Sequence, residues 1–210
     1  MTLKDGITAQ YVAPHIGLSI LLILLALNID MQGVTDESAN IVNGFPYALF
    51  GGMAAAVILL CVVAQNILPR AAKEVLVFWR LKQRLPGHRA FDKIDNKDGR
   101  IEWQRIQSAG GLSELSPNQQ NTLWYRWYRE FETHPSVTQC HKQYLAFRDL
   151  ASITVLSIPV FWCAAFVASD VCSVGILVGS PIVIYAAYVA IARIKANDMM
   201  RQVMVLKSSV

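Results

Sequence analysis

Charge is what this chain has least of, and over long runs it has almost none. Charged residues make up 16 % of the 210 and apolar residues 54 %, against about 25 % and about 45–50 % in ordinary soluble domains. From Tyr11 to Ile29, from Pro46 to Leu68 and from Leu150 to Ala192, the only Asp, Glu, Lys or Arg is Asp170. Such runs argue against a soluble core, because a bilayer-spanning helix needs roughly 20 apolar residues. Cysteine is scarce as well. Cys61, Cys140, Cys163 and Cys172 form no CxxC pair, which argues against a disulfide framework or a structural zinc site. Cys163 and Cys172 are close enough in sequence to meet near one membrane surface, but buried thiols packing as small hydrophobes is the simpler reading. The first apolar run ends at Asn28-Ile29-Asp30 with no small-residue cleavage pattern, so it reads as a retained anchor. The sequence contains no nucleophile–base–acid set, Gly-rich phosphate loop or metal-ligand cluster, so no catalytic residue, metal or cofactor is assigned.

What is present is an all-α pattern of four apolar spans, at about 11–29, 46–68, 150–168 and 171–192. They pair into an N-terminal hairpin (1–68) and a C-terminal hairpin (150–210) that ends in a short tail. Between the hairpins lies a helical, basic and aromatic stretch at 69–149. Basic residues follow the second span (Arg70, Lys73, Arg80, Lys82, Arg84) and the fourth (Arg193, Lys195, Arg201, Lys207). The loop from Asp30 to Phe45 has no Lys or Arg, and nor does the Ser169-Asp170 turn. By the positive-inside rule, both termini and the central stretch face the cytoplasm.

Within the central stretch the pattern predicts a stalk helix from Arg70 to Arg84 that stops at Leu85-Pro86-Gly87. A short helix is expected over Ile101–Gln107. Another starts at Ser116-Pro117, with serine as N-cap and proline in the first turn. That helix carries Leu123, Trp124, Trp127, Tyr128 and Phe131 on one face and ends at His134-Pro135.

Several motifs bear on function. Asp95 to Ile101 resembles the middle of a calcium loop, but aligning Gly99 on loop position six puts Ile94 at position one and Arg105 at twelve. Most of the ligand charge is then missing, and a polar turn is the better reading. Arg129 and His134 have the spacing of HEPN-type ribonucleases, although an imidazolium at a helix end also suits the helix dipole. Trp124 to Arg129 interleaves aromatic rings with Arg126 and Arg129. Such a stretch suits stacked bases and phosphates, a lipid interface or a packed core. Arg84, His88 and Arg89 sit on a turn that suits an anion or the lipid headgroups of an anionic leaflet. Gly175 and Gly179 form a GxxxG packing motif. Asn28 and Ser157 are polar positions available to line a pore in an oligomer. A secondary transporter is disfavoured, because the spans carry no charged residue apart from turn residue Asp170.

The layout of two hairpins, Arg84 to Phe91, Trp124 to Arg129, and Arg148-Asp149 entering the third span is similar to that of four-span bacterial antiphage effectors, such as the Hailong and Kiwa membrane subunits and transmembrane CBASS effectors. The resemblance is architectural. It implies a homo-oligomer in the bacterial inner membrane whose cytoplasmic domain binds a nucleotide, an oligonucleotide or a partner protein and thereby gates a channel or disrupts the bilayer. Arg84, His88, Arg89, Trp124, Arg126 and Arg129 are then the ligand-binding candidates. The alternatives are a non-conducting scaffold that recruits a cytosolic enzyme, and a membrane-tethered ribonuclease.

Overall fold

The computed structural model describes residues 8–26, 52, 56–64, 66–92, 98–110, 115–166, 168 and 171–210, and among them every regular element is helical. A π-helical turn, Thr8–Val12, leads into α1, Ala13–Ala26. Helix α2 covers residues 56–64. Then come α3 (Arg70–Phe78), a 3-10 turn at Pro86–Arg89, α4 (Trp103–Gly110) and α5 (Pro117–Phe131). Two long helices complete the chain, α6 (Pro135–Ala165) and α7 (Val171–Ser209). The all-α class expected from the sequence is observed. Asn28, the loop at 30–45 and the residues at 93–97 lie outside the described residues.

Local chemistry explains the clearest boundary. At the start of α5, the Ser116 backbone N–H and hydroxyl donate to Gln119 Oε1 at 2.9 and 2.8 Å, and Pro117 takes the first helical position, where its missing donor costs nothing. Pro159 and Pro181 stand inside α6 and α7, each removing one backbone hydrogen bond from the ladder.

The chain falls into two compact units: one of residues up to Pro69 with Asp149–Tyr188, the other of Arg70–Arg148 with Val189–Val210. The first has a core of Ile23, Ala26, Ile58, Phe161, Ala164 and Leu177. Its outside is apolar too: Leu60 is 64 % exposed, Val183 69 % and Phe166 91 %. Among its described residues Asp149 is the only Asp, Glu, Lys or Arg. Helices α6 and α7 are long and apolar enough to cross a membrane, whereas the apolar helix Gln10–Ala26 is shorter. Ser157 is buried in this unit, and its hydroxyl donates to the Thr154 carbonyl of its own helix at 2.8 Å.

The second unit packs Ala90, Ile101, Ile106, Trp124, Trp127 and Val137 against Met199, Met200, Val203 and Met204 of α7. The sequence predicts a short tail after the fourth span, but α7 continues unbroken through Ser209 and supplies one side of this core. The stalk helix is also shorter than expected, ending at Phe78 instead of Arg84. Its end is marked by Trp79 at φ 54°, a left-handed conformation that cannot continue a right-handed helix.

Candidate functional site

Helix α5 sorts its side chains by angle. Trp124 and Trp127 are 7 % and 3 % exposed and lie in the core, while Tyr125 is 53 % exposed. The Trp124 ring stacks on Tyr128 at 5.4 Å, and the Tyr128 hydroxyl shares a 2.8 Å hydrogen bond with His141 Nδ1. Trp124, expected as a ligand contact, is buried and packs between Tyr128 and the turn at Pro86–Arg89. The exposed aromatic beside Arg126 and Arg129 is Tyr125, which stacks on Tyr128 at 6.0 Å. The sequence holds this information only as a phase, since Trp124 and Tyr125 are neighbours and the core takes one of them. Arg129 Nη1 donates to Glu132 Oε2 at 3.1 Å. His134 Nδ1 and the Ser136 hydroxyl share a 2.8 Å bond, so both residues of the ribonuclease-like spacing have local partners.

The basic candidates do not converge. The turn carrying Arg84, His88 and Arg89 packs on α5 through Gly87, where an added Cβ would lie 2.5 Å from Asn121 Oδ1 and 3.0 Å from the Trp124 ring. Arg126 is two residues beyond Trp124, so it projects about 200° around the helix, away from that turn. His88 is half-buried, with Nδ1 3.3 Å from the Leu85 carbonyl. The two basic motifs read from the sequence thus lie on two faces. One carries Tyr125, Arg126 and Arg129. The other gathers Arg89 with two residues the sequence reading left out of the site, Arg80 and Arg193. The guanidinium of Arg80 titrates below its usual range because it is partly desolvated and because Arg89 and Arg193 crowd it with like charge. A basic residue 116 positions along the chain from Val77, yet bonded to its carbonyl, leaves no mark in local sequence.

In the described part of the calcium-like stretch, Asp98 is held by cations. Asp98 accepts from Arg100 N and Nε through Oδ1 and from Arg100 Nη2 through Oδ2, at 3.2, 3.0 and 2.9 Å, and Arg201 Nε lies 3.3 Å away. The hydrogen bonds from Arg100, helped by the charge of Arg201, hold the Asp98 carboxyl down at about 2.

In the apolar unit, Gly175 and Gly179 keep an open face, with nothing described within 4 Å of an added Cβ at either position. His15 is buried on α1 and shares a 3.1 Å hydrogen bond with the Tyr188 hydroxyl. The sequence reading passed over this pair because the two residues are 173 positions apart.

No family model matches the chain, and no curated protein or solved structure matches it.

Proposed function

We propose that this protein is a homo-oligomeric membrane effector: four-span subunits whose helical cytoplasmic unit controls a pore. The observation that carries the reading is that α6 and α7 are each one unbroken helix holding both an apolar membrane-length stretch and residues of the polar core. Both helices run from one unit into the other without an intervening loop. The open Gly175–Gly179 face supports oligomerisation, since small residues let a second helix approach closely in lipid. The positive-inside pattern of the sequence supports a cytoplasmic position for both termini and the polar unit of a bacterial inner-membrane protein. There the exposed Tyr125, Arg126 and Arg129 face meets an anionic ligand, a nucleotide or an oligonucleotide. Membrane disruption in antiphage defence is the biological role this architecture suggests.

The test is potassium or dye leakage from liposomes carrying the purified protein, with and without cellular nucleotides. Leakage that responds to nucleotides and is lost in an Arg126→Glu, Arg129→Glu double variant supports the reading. Liposomes that stay tight under every condition overturn it. One observation favours a second reading, a non-conducting scaffold that recruits a cytosolic enzyme. The hydroxyls of Thr154 and Ser157 are buried and bonded to carbonyls of their own helix, which leaves them unavailable to line a wet pathway. Tight liposomes together with a soluble partner captured by the Tyr125–Arg129 face would select the scaffold.

A further inference from the structure

The segment between α3 and the Pro86–Arg89 turn combines features that have no use in water. Trp79 is 63 % exposed and Leu81 80 %. Residues 75–91 contain no Asp or Glu but include Arg80, Lys82, Arg84 and Arg89. Among the described residues no carboxylate pairs with Arg80, Arg84 or Arg89. The backbone is left-handed at two non-glycine residues, Trp79 at φ 54° and Gln83 at φ 51°, a conformation that costs on the order of 1 kcal/mol or more at each. A local cost of that kind is retained where the loop is fastened and has a use.

The fastening is Arg193. Its Nε donates to the Val77 carbonyl at 2.7 Å, satisfying the end of α3, and its guanidinium lies 4.3 Å from the centre of the Trp79 ring. The position of Arg193 on α7 gives the loop a depth. Residues 171–192 carry no Asp, Glu, Lys or Arg, and Arg193 is the first charge after them. Those 22 residues rise about 33 Å as a helix, close to the hydrocarbon thickness of about 30 Å. If α7 spans a bilayer, Arg193 stands where hydrocarbon gives way to headgroups, and the loop bound to it stands at the same level. Tryptophan is enriched at that depth, and basic residues there are drawn to anionic lipid.

We infer that the Trp79–Arg84 loop, with Arg89 and Arg193, is a docking site for the phosphate headgroups of anionic phospholipid, with Trp79 and Leu81 seated in the lipid interface. The inference rests on the reading of α7 as a membrane span, and goes beyond the proposed function by giving the polar unit a second contact with the membrane. Charge complementarity selects the occupant. Among the described residues the crowded guanidiniums of Arg80, Arg89 and Arg193 have no carboxylate partner, and the two large apolar side chains beside them suit a lipid interface better than a soluble phosphate.

The experiment uses the full chain in bilayers of neutral lipid and of neutral lipid with phosphatidylglycerol. It reads tryptophan quenching by lipids brominated near the headgroup or near the bilayer centre. The Trp79 signal is obtained by difference from a Trp79→Phe variant, and Trp162, 47 % exposed in the apolar unit, reports membrane embedding by difference from Trp162→Phe. The expected result is Trp79 quenching by headgroup-proximal bromines, with phosphatidylglycerol bound more tightly than neutral lipid. In Arg80→Gln, Arg89→Gln that preference falls on the order of 30-fold, with the melting temperature unchanged. Trp79 left unquenched while Trp162 is quenched would overturn the docking site and leave the membrane reading standing. If neither is quenched, the membrane reading fails and takes the inference with it. Inorganic phosphate abolishing the preference for phosphatidylglycerol in the bilayers that contain it would also overturn it, by assigning the cluster to a soluble anion.

Discussion

Set side by side, the two units bury similar chemistry and expose opposite chemistry. One has Phe161, Ile58 and Leu177 inside and Leu60, Val183 and Phe166 outside; the other has Trp124, Trp127 and Met204 inside and arginines, glutamates and glutamines outside. Both interiors are apolar, so it is the exteriors that distinguish the solvent each unit suits. In the polar unit the hydrophobic effect supplies the drive to fold, because apolar area leaves water. In the apolar unit, placed in lipid, that drive is absent between helices, and close packing with a few hydrogen bonds has to hold them. The 3.4 Å contact from Cys61 Sγ to the Leu156 carbonyl and the His15–Tyr188 bond are of that kind.

The comparison breaks most completely if α7 is cut short. Deleting 199–210 removes Met199, Met200, Val203 and Met204 from the polar core. At about 1.5–3 kcal/mol per buried side chain, the loss is about 6–12 kcal/mol, enough to unfold a domain of ordinary stability. Limited proteolysis in detergent should then cut the polar unit rapidly while the apolar unit stays protected. A charge test sharpens the contrast. Leu60→Lys, at a site 64 % exposed, should cost about 2.5–3.5 kcal/mol in bilayer insertion and appear as protein lost from the membrane fraction. Tyr125→Lys, 53 % exposed, should leave membrane content and melting temperature alone. Next in size is Gly87→Val. The turn lies against Asn121 and a buried tryptophan ring that cannot yield, so overpacking should cost about 1–3 kcal/mol, read as a lowered melting temperature.

The smallest effect is electrostatic. The Asp98 carboxyl titrates at about 2 in the folded chain, against 3.8 for the free side chain. Its depressed value means the folded state prefers the carboxylate, so its contribution is fully present above the unfolded value. That contribution is lost as pH falls from about 4 to about 2. Asp98→Asn should flatten the pH dependence of stability in that window and shift the melt only slightly at neutral pH, as befits an exposed ion pair.

Much of this arrangement was legible in the sequence where the signal is local. The Ser116-Pro117 helix start, the all-α class and the two long apolar helices follow from capping chemistry and charge-free runs. The misses have one cause in common: the deciding contact is distant in the chain. Helix α3 ends at Phe78 because Trp79 turns left-handed and Arg193 takes the Val77 carbonyl. Trp124 faces inward and Tyr125 outward because the turn at Gly87 packs on one side of α5. Met199, Met200, Val203 and Met204 do carry a helical i, i+1, i+4, i+5 pattern, and that pattern was the available sign that the stretch after the fourth apolar run belongs to a core. Arg126 and Arg129 were separated from Arg84, His88 and Arg89 by helical phase, which spacing along the chain does not convey.

The seating of Met199 to Met204 in the polar core also orders events during synthesis. The stretch from Arg70 to Arg148 leaves the ribosome well before α7, and until α7 follows, Trp124 and Trp127 have no partner on that side. The polar unit therefore reaches its final packing only after the last apolar helix has been made. A chain interrupted before Met199 leaves this core unfinished on its α7 side.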